Sequence, residues 1–230
     1  MVKKRVSRSR KRQLEQPDEF ITLSRRSIEF AAKYRTHLLY GLSVIVLFII
    51  AIAGIRYFSN KAEDKASALL EESIAKYETA IKDKAPGEAY LEVRKDFQTI
   101  LEKYSGKNGE KLARIIYANI CYEAGDFDKA ISLYHKALPE FENNQFFKNI
   151  ILSSLGHALE GKKDYKNAAK YFEMIATGPD SIMKDEAFFN LGELYAIMGN
   201  NDKSLDSFKK IISDYSDSIY IEIVKEKLAG

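Results

Sequence analysis

An unbroken apolar run at residues 38–55 constrains this chain more than any other feature. It reads LLYGLSVIVLFIIAIAGI and carries no charged side chain. Extended by Tyr57 and Phe58, a helix over residues 38–58 would be about 32 Å long, enough to cross a bilayer core of about 30 Å. Because a single segment can satisfy its backbone groups in lipid only as a helix, the run predicts one transmembrane helix.

The charges on either side of this run give the predicted span a direction. Residues 1–37 hold 11 Lys and Arg against 4 Asp and Glu, whereas residues 59–230 hold 24 against 29. Short positive flanks stay in the cytoplasm, so we expect a single-pass type II protein with a cytoplasmic N-terminus. A cleaved signal is the alternative, since the run contains an Ala-Ile-Ala site at residues 51–53. Its long leader and the position of that site inside the apolar stretch argue against it.

The segment before the span divides into two pieces. Residues 1–16 form a basic leader, which we interpret as a disordered positive flank that could also contact anionic headgroups or nucleic acid. No folded module for reading bases accompanies it, so no nucleic-acid partner is expected. Residues 17–37 alternate apolar and charged positions. They predict an amphipathic juxtamembrane helix on the inner membrane surface, or a docking helix for a membrane partner.

Internal repeats decide the fold of the remainder. Three segments within residues 111–216 share one pattern, with units beginning near residues 111, 149 and 185. Each unit predicts two helices that cross closely through small residues, with an aromatic side chain packing across the hairpin. The small residues are Ala118, Gly156 and Gly192 in the first helix and Ala130, Ala168 and Ser204 in the second; the predicted helix caps are Asp126, Asp164 and Asp202.

This pattern resembles the tetratricopeptide repeat, L-G-x-x-Y…A…F…A. Cys121 and Leu159 replace its Tyr, and Lys163 replaces a Gly of the turn. The resemblance implies an all-α fold: one transmembrane helix, then an α-solenoid of about four helical hairpins. In this arrangement residues 59–110 are a long helix with a degenerate first repeat, and residues 217–230 are a capping helix.

The whole arrangement resembles the YfgM-like family of ancillary SecYEG translocon subunits. The segments IRYFSNKAEDKAS at 55–67 and KYETAI at 76–81 look like that family's region after the span. The resemblance implies a bacterial inner-membrane protein with periplasmic repeats. It also implies the translocon, periplasmic chaperones or their clients as protein partners.

No catalytic, cofactor or metal-binding pattern is found in the sequence. The three histidines have no ligand spacing, and no metalloprotease, serine-hydrolase or phosphate-loop motif occurs. The single cysteine, Cys121, falls in an apolar helical pattern and is interpreted as a buried structural thiol. We therefore expect a non-enzymatic protein without a cofactor or metal.

The candidate functional surface is the concave face of the repeats. Its composition argues against binding an acidic C-terminus and favours a helix or an extended, somewhat basic segment. The alternative is that Ile115 and Phe189 only pack against neighbouring repeats. By repeat position the groove should display Ile115, Asn119, Tyr122, Ser153, His157, Glu160, Phe189, Glu193 and Ala196.

These observations lead to a hypothesis of a membrane-anchored protein–protein interaction scaffold, either an ancillary translocon subunit or a periplasmic co-chaperone. A coordinator of envelope assembly or cell division with a similar repeat domain is the alternative. A third possibility is a cytoplasm-facing tether that binds nucleic acid through its leader.

Overall fold

The computed structural model describes residues 19–229, and within that range the chain is all-helical, without a strand. A 3-10 turn, Leu138–Phe141, joins the fifth and sixth helices. The helices are α1 (Glu19–Lys33), α2 (Arg35–Ala80), α3 (Pro86–Lys103), α4 (Asn108–Glu123), α5 (Phe127–Ala137), α6 (Gln145–Gly161), α7 (Tyr165–Ala176), α8 (Lys184–Ile197), α9 (Asn201–Asp214) and α10 (Ile221–Ala229).

The chain forms two compact units that divide between Ser59 and Asn60, inside α2. The first unit holds α1 and the apolar part of α2. Its large apolar side chains are exposed, including Phe48 at 67% and Ile55 at 70%. Helix α2 is long and apolar enough to cross a membrane, and no residue of its most apolar stretch is buried.

The second unit is a series of helical hairpins, each packed on the next along the chain. Helices α4 and α5, α6 and α7, and α8 and α9 form three hairpins, while α3 packs on α4 and α10 on α9. The first part of the core joins the end of α2 to α6, and a second part joins α6, α7 and α8. This confirms the repeat solenoid that the sequence predicts, with the capping helix at its end.

Glycine allows the two helices of a hairpin to approach closely. A Cβ added to Gly156 would lie 2.5 Å from the ring of Phe172, which is fully buried. Gly192 meets the ring of Phe208 in the same way. Any side chain at these positions would displace the aromatic ring that fills the hairpin, so the small residues are a packing requirement.

The turn inside each hairpin repeats the same backbone pattern. The N–H groups of Asp126, Asp164 and Asn200 each donate to a carbonyl five residues earlier, at 2.8, 2.9 and 2.8 Å. The preceding residue is left-handed in every case, with φ of 79° at Gly125, 62° at Lys163 and 73° at Gly199. Lysine at this position carries backbone strain that glycine avoids.

The caps of the second helices follow this turn. The side chains of Asp126 and Asp164 accept from backbone N–H groups three residues on, at 3.2 and 3.3 Å. The predicted cap Asp202 is wrong, because it lies inside the first turn of α9. Asn200 is the cap there and accepts from Lys203 N at 3.4 Å, since the turn before α9 places it at the N-cap.

The start of α4 is held by α2 instead of by a cap of its own. The carboxylate of Glu63 accepts from Asn108 N at 3.0 Å and from Gly109 N at 2.8 Å. The next residue, fully buried Glu110, pairs with Arg114, which also binds Glu140 at 2.5 Å. The bonds from Glu63 thus fasten the first repeat of the array to the long helix.

Candidate protein-binding groove

The groove residues predicted from the sequence lie on the first helices of three consecutive hairpins. Their surroundings differ from one hairpin to the next. Ile115, Asn119 and Tyr122 are on α4; Ser153, His157 and Glu160 are on α6; Phe189, Glu193 and Ala196 are on α8.

Asn119, Tyr122 and His157 come together at one pocket between α4, α5 and α6. We call it the Asn119 pocket; its volume is about 230 Å³. Three residues that sequence reasoning did not select complete its wall: Glu123, Tyr134 and Ser154.

Two tyrosine hydroxyls hold the polar side chains of this pocket in place. Buried Tyr134 donates to Asn119 Oδ1 at 2.5 Å. Tyr77, from the end of α2, donates to Glu123 Oε2 at 2.6 Å. Burial raises the pKa of both tyrosines well above the usual value, so both remain donors at neutral pH. The pocket therefore presents oriented oxygen acceptors.

His157 lies between two carboxylates on the groove floor. Its Nδ1 is 3.4 Å from Glu160 Oε2, and its Nε2 is 3.9 Å from Glu186 Oε1. The Ser153 hydroxyl donates to the same Glu186 oxygen at 2.7 Å. Glu186, and then Glu160, raise the pKa of His157 above its usual value against the lowering effect of burial. His157 in turn, together with Ser153, lowers the pKa of Glu186.

The C-terminal segment contacts the α8 part of the groove and covers part of it, while Glu193 and exposed Ala196 line a cavity of about 450 Å³ beside Lys227. Tyr220 stacks on Phe189 with ring centroids 4.5 Å apart and an interplanar angle of 17°. Lys227 Nζ lies 2.9 Å from Glu193 Oε1. Two of the three predicted groove residues of this helix, Phe189 and Glu193, thus already have partners from within the chain.

Ile115 belongs to the core rather than to the open surface. Only 7% of it is exposed, and it packs in the cluster that joins α4 to α2, α3 and α5. Ser153 is 5% exposed and reaches the groove only through its bond to Glu186. Proximity to the groove therefore does not make every residue of the repeat pattern accessible.

Sequence reasoning missed the carboxylates at the edges of the repeat pattern. Glu123 follows Tyr122 directly at the end of α4, and Glu186 lies one turn before Phe189 in α8. Both face the groove because its surface also includes the positions that flank the central ones. In the described part of the chain, no lysine or arginine forms an ion pair with Glu123, Glu160 or Glu186. The open groove is accordingly acidic.

Within residues 19–229, no group of three or more His, Cys, Asp and Glu side chains is placed to hold a metal ion. Cys121 is fully buried, and burial raises the pKa of its thiol to about 12. The thiol is therefore protonated at neutral pH and packs as an apolar side chain.

Comparison with known proteins identifies the kind of domain. The family described as "Tetratricopeptide repeat-like domain" matches residues 29–229, which is most of the chain. A search of curated proteins found no match to this chain.

Proposed function

The chain belongs to the tetratricopeptide repeat-like family, and from this premise we propose that it is a membrane-anchored scaffold that binds other proteins in its groove. The observation that carries this proposal is an exposed apolar helical stretch in the same chain as the hairpin array. Repeat solenoids use their concave surfaces to bind segments of other proteins. Fixing such a surface to a membrane raises its effective concentration for membrane partners, so a modest affinity is sufficient.

The proposed orientation has the N-terminus in the cytoplasm and the array on the far side of a bacterial inner membrane, in the periplasm. The charge difference between residues 1–37 and residues 59–230 supports this orientation. Protease added to spheroplasts should digest the array and leave cytoplasmic markers intact. An array that survives while those markers are also protected would reverse the orientation.

The finer proposal is an ancillary subunit of the translocon or a periplasmic co-chaperone. Chains that emerge from a translocon are extended, and an open groove with fixed acceptors suits extended segments. The resemblance of residues 55–67 to the YfgM-like region after the span supports the same role. In the alternative role, the groove serves partners from envelope assembly or cell division.

Partner capture from detergent-solubilised membranes tests this role. The full chain should retain translocon subunits or periplasmic chaperones, and Tyr122→Ser in the groove should reduce their recovery about tenfold. The matched control is Leu91→Ser, a change at an exposed apolar residue of α3. Recovery of envelope-assembly or division proteins instead would favour the alternative. Equal recovery with both variants would rule out the groove as the binding surface.

We also propose that α1 lies on the cytoplasmic surface of the same membrane. By helical position, Leu23 and Phe30 share one exposed side of this amphipathic helix, continued by Tyr34 directly after its end, while Arg25 and Glu29 lie on the opposite side. This distribution suits the boundary between acyl chains and anionic headgroups.

The absence of tryptophan in the chain offers a direct test of this placement. In vesicles with anionic lipid, Phe30→Trp should give blue-shifted fluorescence that brominated lipids quench. Arg25→Trp, on the charged side, is the control and should stay close to the spectrum in water. Identical spectra for the two variants would exclude a helix lying on the surface.

A further inference from the structure

A cavity, a carboxylate and an aromatic ring coincide at the Asn119 pocket. Its volume of about 230 Å³ lies below the range of about 300–1,000 Å³ usual for small-molecule sites. It is therefore suited to one long side chain of a bound segment.

The charges around the pocket indicate which side chain fits. Glu123 contributes a carboxylate to the wall, and no ion pair with a lysine or arginine neutralises it among residues 19–229. Glu160 and Glu186 stand beyond His157, which itself lines the pocket. Because those two carboxylates are paired with His157, the charge that a ligand meets in the pocket is that of Glu123, which repels an anionic side chain and attracts a cationic one.

The hydrogen-bonding groups indicate the same chemistry. Glu123 uses Oε2 to accept from Tyr77, which leaves Oε1 available in a fixed orientation. Asn119 Oδ1 accepts from Tyr134 and keeps a second lone pair. Tyr122 offers a ring that is 37% exposed and is held against Phe127, with centroids 5.6 Å apart. Oriented acceptors beside an aromatic face are what a guanidinium or ammonium group requires.

Building on the proposed function, we infer that the Asn119 pocket is a subsite for one basic side chain of the bound protein segment. The cation lies at Glu123, and its aliphatic stem packs against Tyr122. Partners with a basic residue in an extended stretch are then preferred over partners without one.

Fluorescence anisotropy on the full chain in detergent micelles tests this subsite. The probe is a short labelled peptide of serine and alanine with arginine at every third position, and its matched control carries neutral citrulline at the same positions. We expect the arginine peptide to bind about tenfold more tightly than the citrulline peptide. Equal affinities would overturn the subsite.

Two charge-matched variants assign the preference to the pocket. Glu123→Gln keeps an acceptor for Tyr77 and should remove most of the tenfold preference for arginine. Glu102→Gln changes an exposed carboxylate of α3 and should leave the preference intact. Equal losses in the two variants would show general attraction to an acidic protein and would also overturn the subsite.

A third variant tests the cavity without changing its charge. Ser154→Leu fills the pocket and should also abolish the preference for arginine, while the thermal unfolding midpoint identifies any loss of fold. Retention of the preference in a folded Ser154→Leu protein would contradict insertion of the side chain.

The outcome is separable from that of the proposed function. Loss of membrane partners through Tyr122→Ser, without any preference for arginine, would keep the scaffold and remove the subsite. A preference for arginine that depends on Glu123, without capture of membrane partners, would keep the subsite and remove the membrane scaffold.

Discussion

The groove surface on α4 and α6 and the groove surface on α8 occupy equivalent repeat positions but differ in what covers them. On α4 and α6, Asn119, Tyr122 and His157 open onto a pocket. On α8, Tyr220 stacks on Phe189 and Lys227 pairs with Glu193. Position in a repeat therefore defines a face, whereas the next element along the chain decides how much of that face is free.

The difference extends to charge. The open part holds carboxylates that pair only with His157 or with hydroxyl groups, whereas Glu193 in the covered part has its lysine. The covered part is therefore closer to neutral.

The largest expected effect on stability comes from the glycine at which the two helices of a hairpin approach closely, Gly156 in α6 or Gly192 in α8. Gly156→Val should lower the free energy of unfolding by about 3 kcal/mol, because its side chain must displace fully buried Phe172. Gly192→Val should cost about 1–2 kcal/mol, since Phe208 packs in the small C-terminal cluster and has more room to move. Chemical denaturation of both variants measures the difference. Equal losses would show that the terminal hairpin is packed as firmly as the central one.

Detaching α10, whose Lys227 pairs with Glu193, should expose more of the α8 part of the groove. Val224 is fully buried against Phe208 and Ile211, so Val224→Asp should undock α10 at a cost of about 2 kcal/mol. Hydrogen exchange should then rise in α10 and around Phe189. The control is Glu226→Gln, a change at an exposed residue of the same helix. Unchanged exchange in Val224→Asp would mean that other contacts hold α10.

Relieving the backbone strain at Lys163, in the turn between α6 and α7, should increase stability, whereas the preceding substitutions decrease it. Lys163→Gly removes a left-handed lysine and should raise the free energy of unfolding by about 0.5–1 kcal/mol. Gly199→Lys introduces the same strain at the covered end and should lower it by a similar amount. Denaturation midpoints compare the two variants, and opposite signs are required.

The open part alone should respond to pH near neutrality. The raised pKa of His157 means that its stabilising effect is complete below its ordinary pKa of about 6.5 and is lost as the pH rises through the raised value. The lowered pKa of Glu186 keeps that carboxylate ionised across this range. The groups around the ring are Glu160 on its own helix, Glu186 on α8, Phe172 on α7, and Glu123 and Tyr134 in the pocket wall.

The measurement compares the wild type with His157→Gln at pH 6 and at pH 8.5. At pH 6 the free energy of unfolding of the wild type should exceed that of His157→Gln by less than about 1 kcal/mol, because the pair is partly solvated. The difference should vanish at the higher pH. The control is Lys227→Gln, which removes the ion pair with Glu193 on α8 and should give the same difference at both pH values. A pH-independent His157→Gln difference would contradict the pairing.

Much of the fold was predictable because its signals are local. Small residues, aromatic residues and turn residues recur in phase within 111–216, and each acts within its own hairpin. Gly156 against Phe172 and the caps Asp126 and Asp164 follow from that periodicity. The cap at Asn200 was missed because the turn before α9 places the cap two residues before the aspartate of the pattern.

The candidate groove was less predictable because its features come from residues far apart in the chain. Tyr77 reaches Glu123 across 46 positions, and Ser153 reaches Glu186 across 33. No periodicity links such pairs. The burial of Ile115 likewise depends on helices of the first repeat, whose own pattern is degenerate.

By itself, the sequence determined a helical chain with one apolar segment long enough for a membrane and an array of hairpins, because hydrophobic runs and repeat periodicity are properties of neighbouring residues. Tertiary structure alone decided which positions of the groove remain open. That outcome depends on the packing of α10 on α9 and on tyrosines that orient distant acceptors, and both arise only when separate helices meet.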